Sequence, residues 1–118
     1  MEHLEIEIKI KIDQVDAIRK QLLHLKFHLS EKEYFESNMV FDTLAQKLSK
    51  SDSLLRLRKK NNSAILTFKK KIVPGNPDSG YKIRNEIESV VSNDESIQKI
   101  LFALGYEIYF IYEKYREV

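Results

Sequence analysis

The sequence predicts an α+β domain: a mainly extended chain whose strands can curl into a barrel, with two or more helices packed outside. Three observations carry this. Leu4, Ile6, Ile8, Ile10 and Ile12 alternate with Glu5, Glu7, Lys9 and Lys11, the period of a strand with one charged face. Extended runs of similar kind recur at 33–42, 54–60, 64–71, 81–91 and 106–118. Two other stretches switch to spacings of three and four, the period of helices lying on a sheet. A chain of 118 residues is long enough to bury its own core as one domain spanning 1–118, and it contains no cysteine.

The elements follow in order. Leu4–Ile12 is the first expected strand. Asp13 can cap a helix with Asp16 in its first turn, and Val15, Ile18, Leu22 and Leu25 form the stripe that would pack against the sheet. A less regular second strand runs over Glu33–Asp42, followed by a polar connection, 43–52, with a helical turn around Ala45 and Leu48. Leu54–Lys60 and Ala64–Lys71 form a hairpin across Asn61-Asn62-Ser63, since asparagine tolerates positive φ. Both prolines and two of the three glycines fall in 73–80, which reads as a mobile loop. Tyr81–Val91 is the fifth strand. Ser92 with Glu95 makes a capping box for a helix carrying Ile97, Ile100, Leu101 and Leu104, which Gly105 stops. Tyr106 to Val118 is a sixth strand or a bent pair.

Composition excludes several classes. Without cysteine there is no disulfide scaffold, thiolate zinc site or cysteine nucleophile. No apolar run reaches the roughly 18 residues of a membrane helix. The charged start reads as no signal peptide, which makes the cytoplasm the expected compartment. Net charge is only +2, but its distribution is uneven. Residues 54–84 hold nine Lys or Arg and one acid, a balance of +8, whereas 1–42 hold nine acids and six bases, a balance of −3. The bases alternate with apolar residues and recur beside paired acids, which disfavours nucleic acid as partner and suits a metal-bound polyphosphate.

Four rows carry that reading. Glu5-x-Glu7-x-Lys9, Arg56-x-Arg58 with Lys69 on the adjoining strand, Arg84-x-Glu86-x-Glu88, and Lys114-x-Arg116 each occupy one strand face. Like charges so close are unfavourable without an anion between them. In a curled sheet with these faces inward, bases hold phosphate oxygens while paired carboxylates hold a hard cation, the requirement of phosphoryl or nucleotidyl transfer.

The run EIEIK at 5–9 resembles the E-x-E-x-K opening of the CYTH superfamily, the triphosphate tunnel metalloenzymes. NMVFD at 38–42, LLRLR at 54–58, LTFKK at 66–70, KIRNEIE at 82–88 and EKYR at 113–116 agree with it in order and spacing. The resemblance implies an antiparallel β tunnel, a divalent cofactor (Mg²⁺ or Mn²⁺) and a small-molecule triphosphate substrate. It implies metal-side roles for Glu5, Glu7, Glu86 and Glu88, and phosphate-side roles for Lys9, Arg56, Arg58, Lys69, Arg84, Lys114 and Arg116. Glu5, Glu7 and Lys9 would be the catalytic set. The expected reaction is metal-dependent hydrolysis of an inorganic, thiamine or nucleoside triphosphate. The alternatives are class IV adenylyl cyclase chemistry, making cyclic AMP from ATP, and a non-catalytic polyphosphate- or nucleotide-binding module. RNA binding through 54–84 is a further option.

The family pattern continues beyond its Lys-x-Arg strand, whereas this sequence stops at Val118. The expectation is therefore an incomplete tunnel, or one completed by a homodimer in which strands can be exchanged. His3, His24 and His28 read as ordinary, partly exposed histidines. The aromatics crowding 106–115 read as core and edge packing, with dimer contact the next choice. Lys59-Lys60 and Lys70-Lys71 read as a solvated rim.

Overall fold

The computed structural model of the chain describes residues 1–72 and 82–118; the proline- and glycine-rich segment read as a loop lies outside the described residues. The elements are β1 (Glu2–Glu7), α1 (Val15–His24), β2 (Tyr34–Asp42), α2 (Lys47–Lys50), β3 (Ser53–Lys60), β4 (Ser63–Lys71), β5 (Lys82–Val91), α3 (Asp94–Ala103) and β6 (Glu107–Arg116). The six strands among the described residues join one sheet in the order β1-β5-β4-β3-β2-β6, every neighbouring pair antiparallel. The sheet is not closed: β1 and β6 stand at its two edges. The expected α+β architecture holds, in its incomplete form, and the three helices among the described residues agree with the two or more expected.

Cross-strand partners share a face, so the register sorts every side chain. Glu5 lies opposite Arg84, Glu86 opposite Lys69, Thr67 opposite Arg56, Arg58 opposite Asn38, and Glu36 opposite Lys114. These residues therefore line a single polar face running across all six strands. The other face is apolar. Phe41, Leu57, Ala64 and Leu101 form its buried cluster, joined by Met39, Leu55, Leu66, Val91, Ile97 and Tyr106. Helix α3 contributes Ile97 and Leu101 and closes over this side, with Phe102 packed at 6.1 Å between ring centres against Phe41.

Local signals set the boundaries. The cap of α3 is Asn93, whose side chain accepts from the Ser96 amide, one residue later than the expected Ser92. The helix ends in a Schellman turn: Gly105 has φ +95°, its amide bonds to Phe102 O, and the Tyr106 amide bonds to Leu101 O. Asn61, with φ 54°, turns β3 into β4 as its residue type allows. The register of the β2–β6 pair shifts between Val40 and Phe41, with Tyr109 the extra residue on β6, while the β2–β3 ladder runs on unbroken; Val40, Phe41 and Asp42 are all buried.

Two expectations need correction. Strand β1 ends at Glu7, opposite Lys82, the first residue of β5; the alternation of Ile8, Ile10 and Ile12 continues without a ladder partner among the described residues. Helix α1 does not pack its stripe against the sheet. Val15, Leu22 and Leu25 are exposed, and none of its residues is buried. It is held at the far end of β6, where Arg19 forks onto Glu117 at 2.6 and 3.1 Å and Glu31 exchanges backbone hydrogen bonds with Val118.

Candidate metal and phosphate site

The polar face carries two linked clusters. The first spans β1, β5 and β4. Because β1 and β5 pair with Glu5 opposite Arg84, the register also sets His3 opposite Glu86. The β4–β5 ladder then brings Lys69 to Glu86 from the other side. Lys69 Nζ donates to both oxygens of Glu5 at 2.8 Å and stands 3.9 Å from Glu86 Oε1. His3 Nε2 is 3.1 Å from Glu86 Oε2. The side chains of Lys69 and Glu86 are only 8% and 6% exposed, so these charges interact largely shielded from water.

The carboxylates respond in opposite directions. Burial pushes Glu5 up, but the Lys69 ammonium, together with Arg84 across the ladder, outweighs it and holds Glu5 below the ordinary carboxylate range. Burial and the neighbouring Glu5 push Glu86 above that range despite Lys69. His3, Glu86 and Glu88 each offer a ligand atom within 4.8 Å of the others, a set able to hold a divalent cation. The chemistry of this donor set, two carboxylates and an imidazole, fits a divalent cation.

The second cluster spans β3, β2 and β6. Arg58 Nε donates to Asn38 Oδ1 at 2.9 Å and lies 3.3 Å from Glu36 Oε2, while Lys114 Nζ lies 3.4 Å from Glu36 Oε1. Arg56 Nη1 donates to the Tyr112 hydroxyl at 3.4 Å. Burial would raise the Tyr112 phenol, but Arg56, Lys114 and Arg58 together bring it below its ordinary value. Glu36 and Asn38 are 0% exposed. Among the described residues, Glu36 Oε1 and Oε2, Asn38 Nδ2 and Arg56 Nε lack hydrogen-bond partners, although Glu36 lies within ion-pair range of two cations.

The sequence-derived residues land as follows. Glu5, Arg56, Arg58, Lys69, Arg84, Glu86, Glu88 and Lys114 share the polar face, and Arg116 lies opposite Tyr34 at its β6 margin. Glu7 lies at the end of β1, half-buried. Lys9 follows the strand, exposed, and is not drawn into either cluster. Four residues were missed: His3, Glu36, Asn38 and Tyr112. Glu36 and Asn38 sit two apart on β2, so the polar alternation Tyr34-x-Glu36-x-Asn38 was a usable signal. His3 had none, because its role depends on which strand pairs with β1. Lys59 fits the rim reading and meets Asp94 at 3.0 Å.

Comparison with known proteins places the chain among similar sequences and folds. A curated protein of Methanocaldococcus jannaschii, provisionally named an adenylate cyclase, is 29% identical over 115 residues, which cover 98% of this chain and 63% of that protein. A structure from Vibrio parahaemolyticus, also provisionally an adenylate cyclase, superposes with a TM-score of 0.70 at 17% identity, covering 98% of this chain and 60% of the other. At that identity the likeness shows the fold. A Hippeastrum protein, provisionally an adenylyl cyclase and described as revealing a dominant triphosphatase activity, matches with a TM-score of 0.56 at 29% identity over 87% of this chain and 46% of its own. The chain thus spans about three fifths of the length of the curated relative. The CYTH domain model matches residues 3–118, so both clusters fall inside it, and the chain belongs to the CYTH domain family.

Proposed function

We propose that the polar face binds a nucleoside triphosphate with a divalent cation and carries out metal-assisted transfer at phosphorus, with ATP cyclisation as the reaction. The observation that carries the reading is the convergence of Arg56, Arg58, Lys69, Arg84 and Lys114 with Glu5, Glu86 and Glu88 on one face of a small sheet. Hydrolysis was the first expectation from the sequence; the names of the relatives favour the cyclase alternative.

In this reading Arg56 and Arg58 grip phosphate oxygens through planar, multidentate hydrogen bonds, and Lys114 adds a point charge. A bound divalent ion, held by Glu86 and Glu88 with His3 beside them, would draw charge from the oxygens of the reacting phosphate. Lys69 keeps Glu5 ionised and fixed, leaving its carboxylate placed to orient a ligand on the metal side. Cyclisation then needs the 3′-hydroxyl brought in line with the α-phosphorus: the 3′-oxygen bonds to phosphorus as the bond to the β-phosphate oxygen breaks, the hydroxyl proton passes to solvent water, and the same cations stabilise the departing pyrophosphate. The description of the Hippeastrum protein favours a second reading, in which water attacks the γ-phosphorus instead, the bond to the β-phosphate oxygen breaks, and orthophosphate and a nucleoside diphosphate are released.

Incubation with ATP and Mn²⁺ or Mg²⁺, with products resolved by chromatography, separates the two. Cyclic AMP with pyrophosphate supports cyclisation, and orthophosphate with a shortened nucleotide supports hydrolysis. The double variant Glu5→Gln, Glu7→Gln should lose turnover yet bind tripolyphosphate as well as or better than the parent. Turnover retained in that variant would sink the metal-side assignment. Among the described residues β1 and β6 each leave one edge unpaired, which also supports a homodimer; sizing across a concentration series would test it.

A further inference from the structure

The family resemblance leads to oxygen ligands and therefore to Mg²⁺ or Mn²⁺. The geometry of β1 and β5 adds a different atom. His3 precedes the E-x-E row on the same strand face, and its Nε2 lies 3.1 Å from Glu86 Oε2. The basic groups that could neutralise Glu86 are engaged elsewhere. Lys69 is bound by both oxygens of Glu5 at 2.8 Å and reaches Glu86 only at 3.9 Å; Arg84 likewise stands opposite Glu5. Glu86, with a side chain 6% exposed, thus turns its second oxygen towards His3, and Glu88 completes a triad whose ligand atoms lie within 4.8 Å of one another.

We propose that His3, Glu86 and Glu88 form a mixed nitrogen–oxygen metal site on the β1–β5 seam, selective for first-row transition ions over Mg²⁺. The inference rests on the reading that this face holds a divalent cation, and it deepens that reading by assigning the class of ion. Mg²⁺ keeps its waters and takes oxygen ligands, whereas a neutral imidazole suits Mn²⁺, Co²⁺ and Ni²⁺ increasingly well, and suits Zn²⁺ too. Adding one nitrogen to two carboxylates therefore shifts selectivity without altering the site's charge. The backbone ladder fixes the triad: the Met1 and Glu88 main chains are hydrogen-bonded to one another at 2.8 Å, which holds His3 and Glu88 on adjoining strands beside Glu86.

The test is metal binding without any phosphate ligand. Mg²⁺, Mn²⁺ and Ni²⁺ are titrated calorimetrically into the full chain, into His3→Ala and into Glu88→Gln, and Cu²⁺ serves as a spin-resonance probe of nitrogen ligation. The parent should bind Ni²⁺ more tightly than Mn²⁺ and Mn²⁺ more tightly than Mg²⁺. His3→Ala should weaken Ni²⁺ by about tenfold or more while leaving Mg²⁺ little changed, and should remove the nitrogen splitting of Cu²⁺. Ni²⁺ affinity equal to the parent's in either His3→Ala or Glu88→Gln, or no nitrogen splitting in the parent, overturns the proposal; the Glu88→Gln arm separates the triad from chelation by the Met1 amine and His3 alone. Circular dichroism checks that the variant keeps its sheet; His3→Gln, which retains a polar partner for Glu86 but not the imidazole, should show the same loss. Nickel binding that depends on His3 in a protein without turnover would refute the functional reading alone. Turnover with Ni²⁺ binding indifferent to His3 would refute this inference alone.

Discussion

Replacing Glu36 by Gln separates two effects that the second cluster combines. The carboxylate is wholly buried and lies 3.3 Å from Arg58 and 3.4 Å from Lys114. At an effective dielectric of about 20, each pair attracts by about 5 kcal/mol before desolvation is counted. Burying the ions costs several kcal/mol each, and Lys114, whose side chain is 43% exposed, retains much of its hydration. Arg58 also keeps Asn38 as an acceptor at 2.9 Å. The net loss of stability should therefore be about 2 kcal/mol, which lowers Tm by roughly 10 °C in a domain of this size.

Binding should change in the opposite direction. Glu36 occupies the place of an anion among cations meant for phosphate. A phosphate on the far side of those cations lies on the order of 7 Å from the carboxylate, where repulsion is about 0.6 kcal/mol in water and 2.4 kcal/mol at a dielectric of 20. Glu36→Gln should thus bind tripolyphosphate about 3- to 50-fold more tightly, with a steeper dependence on salt. Calorimetry at two salt concentrations, with a thermal melt of the same sample, reads both effects. A variant that melts cooperatively yet binds tripolyphosphate no better than the parent would refute the view of Glu36 as an internal anion.

Two further outcomes follow from the buried charges. Lys69→Met removes the shared cation of Glu5 and Glu86, and the uncompensated pair should destabilise the fold by about 3–5 kcal/mol at neutral pH. Added Mn²⁺ should recover part of the loss in thermal melts, and a variant melting like the parent without metal would contradict the ion-pair account. Asp42 accepts amide hydrogen bonds from Thr43, Leu48 and Ser49 at 2.7, 2.9 and 3.0 Å, anchoring α2. Its burial raises the carboxyl, but those amides outweigh it and hold it below the ordinary range, so its contribution is present above a pH of about 4 and fades as pH falls through the lower folded value. Asp42→Asn should therefore cost about 1–3 kcal/mol in denaturant melts at neutral pH and progressively less in acid. An equal deficit at neutral pH and at a pH of about 2 would count against this.

Much of this arrangement is legible in the sequence because strand parity is local. The two-residue spacing of Arg56 with Arg58, or Glu86 with Glu88, requires a shared face whatever the strand order. Pairing between distant strands is not local, and the missed residues depend on it. His3 meets Glu86 only because β1 docks on β5, and Tyr112 meets Arg56 only because β6 lies across β2 from β3. The stripe on α1 has the spacing of an amphipathic helix but does not cover the sheet, since periodicity states that a face seeks cover and not which element supplies it. At Ser92 the capping-box pattern pointed one residue early: Asn93 offers an equally competent acceptor closer to the first turn.

The strand order has a consequence for how the site assembles. Strands β2, β3, β4 and β5 are neighbours in both sequence and space, whereas the outer seams join Glu5 to Arg84 and Asn38 to Tyr112, contacts that close most of the chain into a loop. Loop-closure entropy makes such contacts late in folding and first to open. Both clusters straddle these seams, so the central meander can persist while the ligand groups part at its margins. Amide exchange in β1 and β6 should consequently be faster than in β3 and β4, and should slow when a polyanion and metal are bound. The ligand would then act as a fastener for the terminal strands, linking the occupancy of the face to the order of the chain's two ends.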